Sequence, residues 1–122
     1  MNYRHNPYMN LYPFLKFGIN VINDNGVLKI VDERKDQLRL PPIDIEKDLF
    51  NVVALFDGKR TVSQIWNNLS ATMGEDPMPI LENLFDVLSD RVELRRTDSM
   101  VRTIKCREGK SFWYTARCKT VI

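Results

Sequence analysis

The stretch LFNVVALFDGKRTVSQIW, residues 49–66, narrows most what this chain can fold into. Leu49, Val52, Val53 and Phe56 recur three and four residues apart, the spacing of one buried helix face. Asp57-Gly58 follows, and a glycine accepts the positive φ with which helices commonly end. Thr61 then offers a side-chain oxygen to open a second helix, with Gln64 three residues on, as a capping box requires. Val62, Ile65, Trp66 and Leu69 begin that helix's apolar stripe. Helix, tight turn and helix leave no space here for a catalytic loop.

The flanking segments extend the pattern in both directions. Residues 1–15 read as an extended aromatic arm, whose Tyr8, Leu11, Tyr12 and Phe14 are expected to pack on the body, with a partner as the alternative. KFGINVIND alternates Phe17, Ile19 and Val21 with Gly18, Asn20 and Ile22, the period of a strand. Asp24-Asn25-Gly26 is a hairpin turn, because Asn-Gly takes positive φ at both central positions. VLKIVDE is the return strand, and QLRLP is a short third strand that Pro41-Pro42 ends. The first helix then starts at Ile43-Asp44, with Asp44 as N-cap, and runs to about Asp57. The second spans Val62 to Met73. The third opens near Pro79 and ends near Asp90, with Ile80, Leu84, Val87 and Leu88 facing the core and Leu81 and Phe85 at its edge.

RVELRRT reads as a further strand. Residues 99–122 read as a basic β-hairpin, with Phe112, Tyr114, Ala116, Cys118 and Ile122 on one side. The expected class is α+β: a winged helix-turn-helix with an N-terminal three-stranded antiparallel sheet, three helices and a C-terminal β-hairpin. Residues 1–15 form the arm, 16–98 the domain body and 99–122 its extension.

Composition sets limits on function. A chain of 122 residues is long enough to bury a modest core in one domain without staples. No apolar run approaches the roughly 18 residues of a membrane span. The first residues, interrupted by Pro, Asn and Tyr, do not make a signal peptide, so a cytoplasmic protein is expected. Cys106 and Cys118 are the only cysteines, and two thiols are the expected state in that compartment, with a disulfide across a hairpin as the alternative. His5 is the only histidine, and no close pair of ligands suits a metal. No glycine-rich phosphate loop and no base beside a nucleophile are present, so neither cofactor nor enzymatic activity is expected.

Charge separates two binding classes. Residues 44–90 hold three Lys/Arg against nine Asp/Glu, whereas residues 91–122 hold nine against three. A DNA-reading helix presents cations and amides to the groove. The third helix instead carries Glu82, Asp86 and Asp90, a sign that phosphates repel. A winged-helix transcriptional regulator is therefore the second reading, and a subunit-docking scaffold a third. A peptide fits better. The free edge of the third strand, Gln37, Leu38, Arg39 and Leu40, suits strand addition. Leu81, Phe85 and Leu88 would take apolar anchors, and Arg34, Lys35 and Arg39 would favour an acidic peptide.

These segments carry a family likeness. The strand meander closing in LRLPPID, then LFNVVALFDGKRTVSQIWNNL, PILENLFDVLSD and VEL, resembles the PqqD-like RiPP recognition elements. LFDGKRTVSQI is the most specific part, and the meander looks most like the leader-binding domains of azoline-forming cyclodehydratase systems. The resemblance covers about Phe17 to Leu94. It implies a non-catalytic protein that binds the leader of a ribosomally made precursor peptide and presents it to a modifying enzyme such as a cyclodehydratase. It also implies that the leader adds to the third strand, at Gln37 to Leu40, and packs on the Leu81, Phe85, Leu88 side of the third helix. Neither nucleic acid nor membrane is an expected partner, and a homodimer is left open. The arm and the hairpin lie outside the likeness.

Overall fold

The computed structural model describes residues 8–35, 39–98 and 100–109. It is α+β, with three helices and two sheets among these residues. Two compact units share the chain, one of residues 1–16 and 52–103, the other of residues 17–51 and 104–122.

The second unit is built on a hairpin. Strands β2 (Ile19–Asp24) and β3 (Val27–Asp32) pair antiparallel around Asn25-Gly26. Both turn residues have positive φ, 57° and 89°, as a type I′ turn demands. β4 (Ile43–Ile45) pairs antiparallel with β3, and β6 (Cys106–Glu108) pairs parallel with β2, giving the order β4-β3-β2-β6. Ile19, Val21 and Ile30 are buried on one face of this sheet, and Ile22 and Val31 on the other. Phe17, read as part of the strand, lies in a turn and is exposed, since Gly18 at φ 86° breaks the extended run.

The third strand sits elsewhere than expected. Arg39 and Leu40 belong to no strand, Gln37 and Leu38 lie outside the described residues, and the strand falls after the diproline. A residue before proline is held extended, so Pro41-Pro42 feeds an extended chain into Ile43-Asp44-Ile45 rather than ending one. The first helix, α1 (Lys47–Val53), consequently starts later, and Asp44 is a strand residue, not its N-cap. Past Val53 the chain tightens through two short turns, Leu55 to Val52 and Phe56 to Val53, before the Asp57-Gly58 turn.

In the first unit, β1 (Tyr12–Leu15) pairs antiparallel with β5 (Val92–Arg95), so the expected arm is in part a sheet strand. Phe14 and Leu15 are fully buried. β1 is flanked on its far side by Phe56 and Gly58, through Leu15 N–H to the Phe56 carbonyl (2.8 Å) and Gly58 N–H to the Pro13 carbonyl (2.9 Å). Helix α2 (Val62–Met73) carries the expected capping box of Thr61 and Gln64 and ends at Gly74 in the left-handed region. Helix α3 (Met78–Val87) buries Met78, Leu81 and Leu84, with Leu88 fully buried just beyond it. Val87, assigned to the core, is 46% exposed. Two stripes compete on this helix, and the one built on Leu81 faces inward. Among the described residues no helix is long and apolar enough to cross a membrane.

Candidate functional site

The residues expected to form a peptide groove are divided between the two units. Leu81 and Leu88 are fully buried core positions of the first unit, with no side chain to offer a ligand. Phe85 is half-buried, stacked on the buried Phe56 ring at 5.4 Å and edge-on to Tyr8 at 5.9 Å. Its aromatic face is already in use.

Arg34, Arg39 and Leu40 belong to the second unit. Arg34 is engaged by Asp32, the carboxylate that closes β3. Asp32 Oδ1 accepts from the Arg34 backbone N–H (3.1 Å) and Nε (2.9 Å), and Oδ2 accepts from Arg34 Nη2 (2.8 Å) and the Leu40 N–H (2.9 Å). The Arg34 guanidinium, helped by the two backbone N–H groups, holds the Asp32 carboxyl well below the usual carboxylate range despite its burial. Asp32 in turn raises the Arg34 pKa. The cation expected to attract an acidic peptide is thus half of an internal clasp. That clasp fixes Leu40, one residue before the diproline that leads to β4.

What the clasp positions is an edge. Asp24 and Val27 flank a two-residue turn and form a hydrogen-bonded pair, so pairs alternate along the hairpin, as Glu33 N–H to the Gly18 carbonyl (2.8 Å) bears out at its far end. Leu28 and Ile30 therefore turn their backbone groups to β4, where they meet Ile45 and Ile43 in register. Asp44 lies between those two pairs, so its N–H and C=O point away from β3. β4 is the terminal strand of the sheet among the described residues. One strand residue thus presents both backbone groups outward.

Beside this strand lies an open cavity of about 470 Å³, lined by Leu28, Ile45, Lys47, Phe50 and Cys106, with Asn23, Gly26 and Val27 at the hairpin tip. The volume is within the range of about 300–1,000 Å³ common for ligand clefts. Ile45, Leu28 and Phe50 are half-buried, giving apolar walls. Burial, with Glu108 nearby, pushes the Cys106 thiol up from its ordinary pKa, so little of it is thiolate at neutral pH. Charges around the edge are mixed: Lys47 lines the cavity, and Asp44, Glu46 and Asp48 are exposed nearby in the chain.

Among the described residues, no group of three or more His, Cys, Asp or Glu is placed to hold a metal ion. Cys118 and the second arm of the expected C-terminal hairpin lie outside the described residues. The β4 edge was missed because three residues are too few for periodicity to register. Its one legible signal is Ile-Asp-Ile directly after two prolines. The chain matches no family model, no curated protein and no solved structure.

Proposed function

We propose that this protein is a non-catalytic, cytoplasmic leader-peptide-binding protein that takes up a ribosomally made precursor by strand addition and presents it to a modifying enzyme such as a cyclodehydratase. The observation that carries the reading is the outward-facing backbone of Asp44 on a terminal strand, next to an apolar cavity. An added strand gains affinity from main-chain bonds and specificity from pockets for alternate side chains. Here the leader pairs with Asp44 and seats an apolar side chain between Ile45 and Phe50. Of Arg34, Lys35 and Arg39, expected to favour an acidic leader, Arg34 is held by Asp32, and the charges beside β4 are mixed, so the leader is taken to be of mixed charge.

The finer fold reading, a winged helix-turn-helix, is supported by α1, the Asp57-Gly58 turn, α2, α3 and β5 following in that order. A DNA-binding regulator has less support, because Glu82, Asp86 and Asp90 are exposed on or next to α3.

Calorimetry with the leader of a precursor encoded beside this gene tests the reading, and binding at micromolar concentration is expected. Asp44→Pro deletes, of the backbone groups, only an outward N–H, a change edge strands accept, together with an exposed carboxylate 3.9 Å from Lys29, and should weaken binding at least tenfold. Phe50→Ala should do likewise. In a Cys118→Ser background, leader binding should slow alkylation of Cys106 at the cavity wall. Absence of binding, or full affinity in both variants, would remove this site.

A further inference from the structure

We infer that β5 is a self-complementary edge through which two copies of this chain pair. The argument begins at Pro13. Its carbonyl accepts from Gly58, and the Leu15 N–H donates to Phe56, so the backbones of Pro13 and Leu15 point away from β5. Their partners in register are Leu94 and Val92. In an antiparallel ladder, partners in a pair that does not exchange hydrogen bonds both face outward. The Leu94 N–H and C=O, and the Val92 C=O, are therefore directed to the outer side of β5; the Val92 N–H is taken by the Leu88 carbonyl (2.9 Å).

β5 is a terminal strand of its sheet among the described residues. Beyond it, the Met100 carbonyl accepts from Arg95 Nη1 (3.5 Å), and the Arg95 guanidinium lies 3.7 Å from the Phe14 ring centroid, which places both contacts on a face of the strand.

The sequence of the edge is Val92-Glu93-Leu94-Arg95. A two-fold axis through Leu94 sets this strand antiparallel to itself. Leu94 then exchanges both backbone bonds with Leu94 of the second copy, and the Arg96 N–H reaches the Val92 carbonyl. Glu93 stands opposite Arg95, twice, and opposite charges directly across a strand pair attract. Within one chain Glu93 and Arg95 already touch at 2.9 Å, on the same face, so pairing two copies closes a ring of four alternating charges. Leu94, 37% exposed, meets its own copy on the opposite face. Charged residues usually keep an edge from pairing. Here their order, acid then base around a central leucine, makes the edge fit a second copy. The interface is isologous, as closed two-fold dimers require, and small, so the dimer is weak and concentration-dependent.

Sedimentation velocity of the full chain tests this. The weight-average sedimentation coefficient should rise between about 10 and 500 µM, the range suited to an interface of this size. The Leu94 and Arg96 amide resonances should shift over the same range. Of the backbone groups, Leu94→Pro removes only the outward N–H; it also takes away the leucine side chain at the two-fold axis, and it should weaken association at least tenfold. Glu93→Lys places like charges opposite each other and should do the same, with added salt easing the loss. Circular dichroism confirms folding; should Leu94→Pro not fold, Glu93→Lys decides, since that side chain is half exposed. A wild-type chain that stays monomeric at 500 µM, or folded variants that associate as the wild type does, would overturn the inference.

Discussion

Replacing Asp32 by Asn removes one charge and one acceptor atom from a site that water does not reach. The side chain has no solvent exposure, and its two oxygens serve four donors. An asparagine keeps one oxygen. Whichever way its amide turns, the NH₂ faces two donors, either the Arg34 N–H and Nε or Arg34 Nη2 and the Leu40 N–H. Hydrogen bonds to a charged partner are worth about 1.5–3 kcal/mol each. Losing two, with Arg34 left beside a neutral amide, should cost about 3–5 kcal/mol. Against a total of about 5–15 kcal/mol for a domain, that is a large fraction.

Urea unfolding at pH 7, followed by tryptophan fluorescence, measures the loss. The folded carboxyl has a pKa below its unfolded value of about 3.9. Its contribution is therefore complete above about pH 4 and falls as pH drops toward the folded value, by at most about 1.4 kcal/mol per pH unit. Wild type and Asp32→Asn should differ most at neutral pH, and the difference should narrow steadily as pH falls below about 4. A difference below about 1 kcal/mol at pH 7, or one that does not narrow in acid, would refute the reasoning.

Gly58→Ala should destabilise by about 2–4 kcal/mol in thermal unfolding, since its φ is 81° and a new Cβ would collide with the Met100 carbonyl oxygen and the Phe14 ring. Gly74→Ala has a similar φ, 71°, but open space around it, so it should cost only about 1 kcal/mol; equal losses at the two sites would discount the collision. Phe85→Ala, which deletes the ring stacked on Phe56, should cost about 2–3 kcal/mol while leaving leader affinity unchanged once the protein is folded. A leader-binding defect without loss of stability would instead return Phe85 to the binding surface.

Local chemistry made several elements legible. Asn25-Gly26 fixes its turn and Thr61 with Gln64 starts α2, because each acts over three or four residues and leaves its mark in their order. What the order of residues conceals is pairing at distance. Tyr12 to Leu15 look like an arm until Val92 to Arg95 are seen beside them, and nothing in Cys106-Arg107-Glu108 specifies a parallel partner in β2. α3 is a different case. Its wide apolar arc admits two inward faces, and only packing decides that Leu81 is buried and Val87 exposed. Arg34 was legible as a cation near the edge. That it is spent on Asp32 depends on the chain returning to place Leu40 against the same carboxylate. The strand expected at Gln37–Leu40 is found instead at Ile43–Ile45, after the diproline.

The interleaving of the two units has a consequence for synthesis. Each is assembled from an early and a late piece of chain: β1 waits for β5, and β2 for β6. Leu15 and its partner Val92 are 77 residues apart, which at about 5–20 residues per second is roughly 4–15 s of translation. During that interval β1 can meet only the Phe56–Gly58 segment on its other side, and its β5 side has no partner. A nascent chain stalled before Val92 therefore holds neither unit complete, and each unit closes only when its later-made strand is available.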